Sequence, residues 1–146
     1  MHGQAEIVAK IEAGYTVMVV DDDPSVLATY RRLLSRAGYT TVTMNDPLSA
    51  LEAPDHSQAD LILIDYKMPG MDGLSLLKAL RERACRARCI LVSAFLNEDV
   101  RTRAADLGVD KVMEKPVDCC QLRDVIRDLL PASSSDDSLG GATGRA

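Results

Sequence analysis

Apolar residues in this chain fall into short unbroken runs, separated by longer stretches in which they recur every three or four positions. The runs are Val17-Met18-Val19-Val20, Leu61-Ile62-Leu63-Ile64 and Ile90-Leu91-Val92. Runs of that length, closed by turn residues, predict buried strands. Tyr39 to Met44 alternates with threonine and predicts a more exposed strand at a sheet edge, while Val109 to Met113 predicts a weaker last strand. Between the strands the period changes. Val26, Leu27, Tyr30, Leu33 and Leu34 keep helical spacing, as do Leu74, Leu77 and Leu80, and then Leu122, Val125, Ile126, Leu129 and Leu130. Asp23-Pro24 starts the first helix with an N-cap and a proline at the first helical position, and Gly38 stops it. Asn45-Asp46-Pro47 opens a short second helix through Leu48 and Leu51, and Asn97 to Leu107 is a polar helix ended by Gly108.

Five strand–helix units in succession predict an α/β domain with a parallel sheet. The 146 residues amount to one domain, here residues 15–131. Residues 1–14 read as an N-terminal extension in which Ile7 and Ile11 lie one helical turn apart, and residues 132–146, rich in Ser, Asp and Gly, read as a disordered tail or linker. The net charge of -5 argues against direct nucleic-acid binding, which needs a basic face. No apolar stretch approaches the roughly 20 residues of a membrane helix, and Met1 to Glu6 lacks the basic start and apolar core of a signal peptide, so the expected location is cytoplasmic. Cys85 and Cys89 are four apart and Cys119 and Cys120 are adjacent, neither a zinc spacing, so all four are expected as reduced thiols. His2 and His56 read as solvated surface residues.

Chemistry enters where the strands end. The first run closes on Asp21-Asp22-Asp23, the second on Asp65 and the third on Ser93, and Lys115-Pro116 follows the last strand. Ligands of a parallel sheet bind at the carboxyl ends of its strands. Asp21, Asp22 and Asp65 gathered there would repel one another, and their titrations would couple. A hard divalent cation such as Mg²⁺ relieves that repulsion and leaves room for a phosphate oxygen. Lys115 supplies a point charge for a phosphate, Ser93 a hydroxyl donor, and an aspartate beside the metal can itself be the nucleophile.

The motifs Val19-Val20-Asp21-Asp22-Asp23, Asp65-Tyr66-Lys67-Met68-Pro69-Gly70-Met71-Asp72-Gly73, Ser93-Ala94 and Lys115-Pro116 resemble, in order and spacing, the receiver domain of two-component response regulators, a chemotaxis-regulator-like pattern. The Asp-x-x-Met-Pro-x-Met-Asp-Gly segment is the specific part. The resemblance implies a flavodoxin-like doubly wound sheet of five parallel strands in the order 2-1-3-4-5, flanked by five helices. It implies that Asp65 accepts a phosphoryl group from a sensor histidine kinase or a histidine phosphotransfer protein. Asp22, Asp65 and the Lys67 carbonyl would bind Mg²⁺ directly, and Asp21 would hold it through water. Ser93 and Lys115 would contact the phosphoryl group, small Ala94 would keep the approach open, and Pro116 would follow a cis bond. The chain would then be no enzyme toward another substrate, catalysing only its own phosphorylation and dephosphorylation. It would signal to an effector protein through residues 97–130.

Other roles are structural expectations. Asp23 is expected as a cap, Asp72-Gly73 as the cap of the third helix without contact to the chemistry, the Lys67 side chain as solvated, and Met68 and Met71 as packing groups. One position departs from the family: Val112 stands where a Tyr or Phe is usual, three residues before the lysine, and Phe95, the only phenylalanine, is the nearest substitute. Two rivals stay in view. A haloacid dehalogenase-like phosphatase would use Asp21 in Asp21-Asp22-Asp23-Pro24-Ser25 but leaves the Asp65 segment unexplained. A pseudo-receiver would be a protein-interaction module without phosphate control, against which stand Asp22, Asp65, Ser93 and Lys115. A dinucleotide-binding domain fails because no Gly-rich loop follows the first strand. Met1 and the extension point to a native N-terminus, whereas the tail fits both a regulator acting alone and a receiver joined to something larger.

Overall fold

The computed structural model describes residues 14–131. Readings that fall on His2, on the extension up to Ala13 and on the tail from Ala132 lie outside the described residues. The elements in chain order are β1 (Thr16–Val20), α1 (Pro24–Arg36), β2 (Thr40–Met44), α2 (Pro47–Glu52), a 3₁₀ turn (Pro54–Ser57), β3 (Leu61–Asp65), α3 (Gly73–Glu82), β4 (Arg88–Ser93), α4 (Glu98–Asp106), β5 (Lys111–Glu114) and α5 (Cys119–Leu129). All strand pairs are parallel, in the order β2-β1-β3-β4-β5. This is the doubly wound sheet expected.

Residues of β1, β3 and β4 alternate between two apolar layers, as strand geometry requires. Val17, Val19, Leu61, Leu63, Ile90 and Val92 face the layer formed by Leu27, Tyr30 and Leu34 of α1 with Leu122 and Ile126 of α5. Met18, Val20, Ile62, Ile64, Cys89 and Leu91 face the layer containing Ala50 and Leu51 of α2, Leu74, Leu77 and Leu80 of α3, and Val100 and Ala104 of α4. Both faces of the central strands are thus covered, which explains why their sequences are continuous apolar runs. Every residue of β3 is buried, while β2, at the edge, is only half-buried.

Helix starts follow the capping chemistry of the sequence. Asp23, Asp46, Asp72, Asn97 and Asp118 each accept a hydrogen bond from a backbone N–H of the helix they precede. Gly38 (φ +97) and Gly108 (φ +77) turn the chain out of α1 and α4 in the left-handed region that glycine tolerates. Asn97 carries the start of a helix that buries only Val100 and Ala104. Replacing Asn97 by Ala is expected to lower stability by about 1 kcal/mol in urea unfolding.

The sheet register is what builds a site. Val20 pairs with Ile64, Asp65 with Val92, and Ser93 with Glu114. The Lys115 N–H donates to the Ser93 carbonyl (2.9 Å) and the Asp21 N–H to the Met44 carbonyl (3.1 Å). Four strands therefore finish level, at the end where the order reverses between β1 and β3, the position at which open α/β sheets take ligands.

Candidate functional site

Asp21 and Asp22 follow β1, Asp65 ends β3, Ser93 ends β4 and Lys115 follows β5. Asp21, Asp65 and Ser93 are buried, exposed by only 2%, 8% and 2%, whereas Asp22 is exposed. One carboxylate oxygen from each of Asp21, Asp22 and Asp65 lies within 4.8 Å of the others. Three hard oxygen donors with no sulfur or imidazole suit a cation such as Mg²⁺ or Ca²⁺ and not a soft one. Lys115 Nζ lies 3.0 Å from Asp65 Oδ1 and 3.7 Å from Asp21 Oδ2. The peptide bond from Lys115 to Pro116 is cis.

Burial sets the electrostatics of this corner. It pushes the Asp65 carboxyl above the usual carboxylate range; the hydrogen bond from Lys115 opposes that rise and the charge of Asp21 adds to it. Asp21 is raised too, again by burial, against the N–H of Asp23, which donates to Asp21 Oδ1 (2.9 Å), and against Lys115. For Lys115 burial acts downward, but its hydrogen bond to Asp65 and the charges of Asp65 and Asp21 outweigh it, and the ammonium is held above the usual lysine range. One cation thus serves two crowded, buried carboxylates, and a second positive charge would be welcome.

Asp21, Asp22, Asp65 and Lys115 converge, and the other predicted residues show particulars the sequence did not contain. The Ser93 hydroxyl is turned toward its own loop: it donates to the Phe95 carbonyl (2.8 Å) and accepts from the Phe95 N–H (3.0 Å). Ala94 is exposed beside it. Lys67 is exposed, with Nζ 6.0 Å from the centre of the Phe95 ring, itself 71% exposed. Met68 is buried and Met71 half-buried against the α2–α4 layer, as packing groups should be, and Val112 joins them there. Asp23 is the cap of α1, accepting from Ser25 N–H and Oγ.

One reading is extended by the structure and one needs correcting. Asp72 does cap α3, accepting from Ser75 N–H (2.7 Å), but it also pairs with Arg103 of α4 (3.6 Å), whose other nitrogen donates to the Tyr66 hydroxyl (3.2 Å). That cluster joins three elements, and no spacing in the sequence announces it. His56 is half-buried: its carbonyl accepts from the Cys85 thiol (3.4 Å) and its Nδ1 is shielded from water, because the turn at Pro54–Ser57 tucks under the end of α3. Tyr30, read as a packing residue, lies close enough to the site that Asp21 and Asp65 add to the effect of burial on its phenol, pushed up to about 12.

The chain is similar to known proteins over most of its length. The family model for the response regulator receiver domain matches residues 17–127. Sporulation initiation phosphotransferase F of Bacillus subtilis is 29% identical over 119 residues, which is 82% of this chain and 96% of that protein. The DNA-binding transcriptional regulator NtrC of Escherichia coli is 37% identical over 102 residues, covering 70% of this chain but only 22% of that protein. Among solved structures, the receiver domain of the Francisella response regulator 1452 superposes with a TM-score of 0.73 at 28% identity, covering 80% of this chain and 97% of that one.

Proposed function

The chain belongs to the response regulator receiver domain family, and from that premise we propose that Asp65 accepts a phosphoryl group from a histidine kinase or histidine phosphotransfer protein. The observation that carries this assignment is the Lys115 ammonium 3.0 Å from a buried Asp65 that shares one corner with Asp21 and Asp22. An Asp65 oxygen attacks phosphorus, the bond from phosphorus to the donor breaks, and the donor leaves with its electron pair. The product is an acyl phosphate on Asp65, which water later hydrolyses. The chain thus catalyses only its own phosphorylation and dephosphorylation.

Mg²⁺ would be the cofactor: Asp22, Asp65 and the backbone carbonyl of Lys67 would hold it directly, and Asp21 through water. When bound, it supplies positive charge that offsets the carboxylates and the incoming phosphoryl oxygens. Lys115 holds its charge against the transferred group, and Ser93 turns its hydroxyl from Phe95 to a phosphoryl oxygen. The receiver occupies residues 15–131 and works in the cytoplasm. No helix among the described residues is long and apolar enough to cross a membrane. Its output is a protein contact through residues 97–130, with no direct nucleic-acid contact. The roughly -1.5 to -2 charge of the new group biases that surface between two arrangements.

Incubation with Mg²⁺ and acetyl phosphate, followed by intact mass measurement, is expected to show one added phosphoryl group. Asp65→Asn is expected to show none. A folded wild-type chain that gains nothing from any donor overturns the reading, and a label that persists in Asp65→Asn but vanishes in Asp21→Asn moves the chemistry to Asp21.

A further inference from the structure

Tyr66 is bonded directly to the proposed phosphoacceptor, and it also touches α4. Its N–H donates to the Val92 carbonyl (2.8 Å) and its carbonyl accepts from the Gly73 N–H (2.7 Å), so its backbone is fixed between β4 and α3. Its ring packs half-buried against the layer that contains Val100 and Ala104. Its hydroxyl accepts from Arg103 Nη1 (3.2 Å), and Arg103 Nη2 pairs with Asp72 at the start of α3 (3.6 Å). One guanidinium on α4 therefore clasps both ends of the segment that runs from Asp65 to α3.

α4 has little else to hold it there. It buries one valine and one alanine, and its remaining side chains are exposed or half-exposed. The chain enters it through the loop that Ser93 staples by its two hydrogen bonds to Phe95. A hydroxyl has one proton to donate. Once Ser93 donates to a phosphoryl oxygen, the Phe95 carbonyl loses its partner and one of the two bonds that staple the entry to α4 is broken. The clasp is then left to hold the helix against a displaced loop. It is a partly exposed pair with side chains 38% and 32% accessible, the kind of contact that contributes little free energy and breaks on a small shift.

We infer that the Arg103 clasp on Tyr66 and Asp72 holds α4 in its unphosphorylated arrangement and opens when Asp65 is phosphorylated. The inference rests on Asp65 as the acceptor. It gives this chain a route from site to helix that needs no aromatic at Val112. Linkage makes it testable: if the phosphorylated state lacks the clasp, removing the clasp must favour that state by the same factor.

The test uses the full chain with Mg²⁺ and beryllofluoride, a stable mimic of the acyl phosphate, titrated into wild type, Tyr66→Phe and Arg103→Met. Tyr66→Phe removes one oxygen and leaves the ring, and Arg103→Met leaves an apolar stem. Both variants are expected to bind beryllofluoride about twofold to fivefold more tightly. Without the mimic, amide exchange in residues 97–108 is expected to be faster by a similar factor. A charge effect alone would weaken anion binding in Arg103→Met and leave Tyr66→Phe unchanged. Folded variants that bind as wild type does, or more weakly, overturn the clasp. A wild-type chain that fails to bind at all overturns the role of Asp65 instead.

Discussion

Gly73→Ala is expected to destabilise the protein by about 3 kcal/mol and to weaken phosphorylation of Asp65 in the molecules that still fold. Gly73 begins α3, and a Cβ built on it would stand 2.5 Å from the Asp65 carbonyl oxygen, 2.8 Å from Ile64 Cγ2 and 3.1 Å from Tyr66 Cα. Two of those atoms are backbone, so no rotamer change relieves the contact. Either α3 slides outward, losing the packing of Leu74 and Leu77, both fully buried, or β3 shifts and carries Asp65 with it. Overpacked sites typically lose about 1–3 kcal/mol, and rigid backbone on the receiving side puts this one at the upper end. Urea unfolding measures the stability and phosphorylation by acetyl phosphate measures the site. A variant as stable as wild type would mean that the approach of α3 to β3 is looser than 2.5 Å implies.

The second large effect is on Lys115. Lys115→Met keeps the length of the side chain but removes the charge that lies 3.0 Å from Asp65 and 3.7 Å from Asp21. Phosphorylation by acetyl phosphate is expected to fall roughly a hundredfold, the loss typical when a preorganised charge partner is deleted. Stability should change with pH in a definite sense. Asp65 and Asp21 already titrate above the usual carboxylate range, so between the unfolded and the folded values the folded protein binds more protons than the unfolded chain. Stability therefore rises as pH falls through that window, and this pair is a liability at neutral pH. Without Lys115 the folded values rise further, and the window widens upward. With Mg²⁺ chelated, the stability deficit of Lys115→Met is expected to shrink on acidification from neutral pH. A deficit independent of pH would show that Lys115 acts by packing alone.

Much of this was legible in the sequence, for reasons that differ by element. β1, β3 and β4 are buried on both faces, so their apolar runs carried the signal whole, and Asp23, Asp46, Asp72 and Asn97 each sit at a helix start because short polar side chains satisfy the first free N–H groups. Parallel register then does the rest: once the strands are known, their carboxyl ends are known, and so are the residues that follow them. What stayed hidden depends on side-chain direction across elements. Arg103 reads as one more charge on a polar helix, and only the crossing of α4 over the β3–α3 segment brings it to Tyr66 and Asp72. The turned-in hydroxyl of Ser93 is equally invisible, since a serine at a strand end looks the same whichever way it bonds. His56 was misjudged because its neighbours in sequence are polar while its neighbour in space is Cys85.

The level strand ends have a kinetic side as well. Asp21 stands near the beginning of the described chain and Lys115 near its end, and the sheet brings their charged groups to 3.7 Å. β5 is the shortest strand, lies at the sheet's outer edge and contributes one buried residue, Met113. Contacts so distant along the chain are slow to form, because loop closure must precede them. A chain with β5 undocked would keep most of its core yet present its carboxylates without their ammonium.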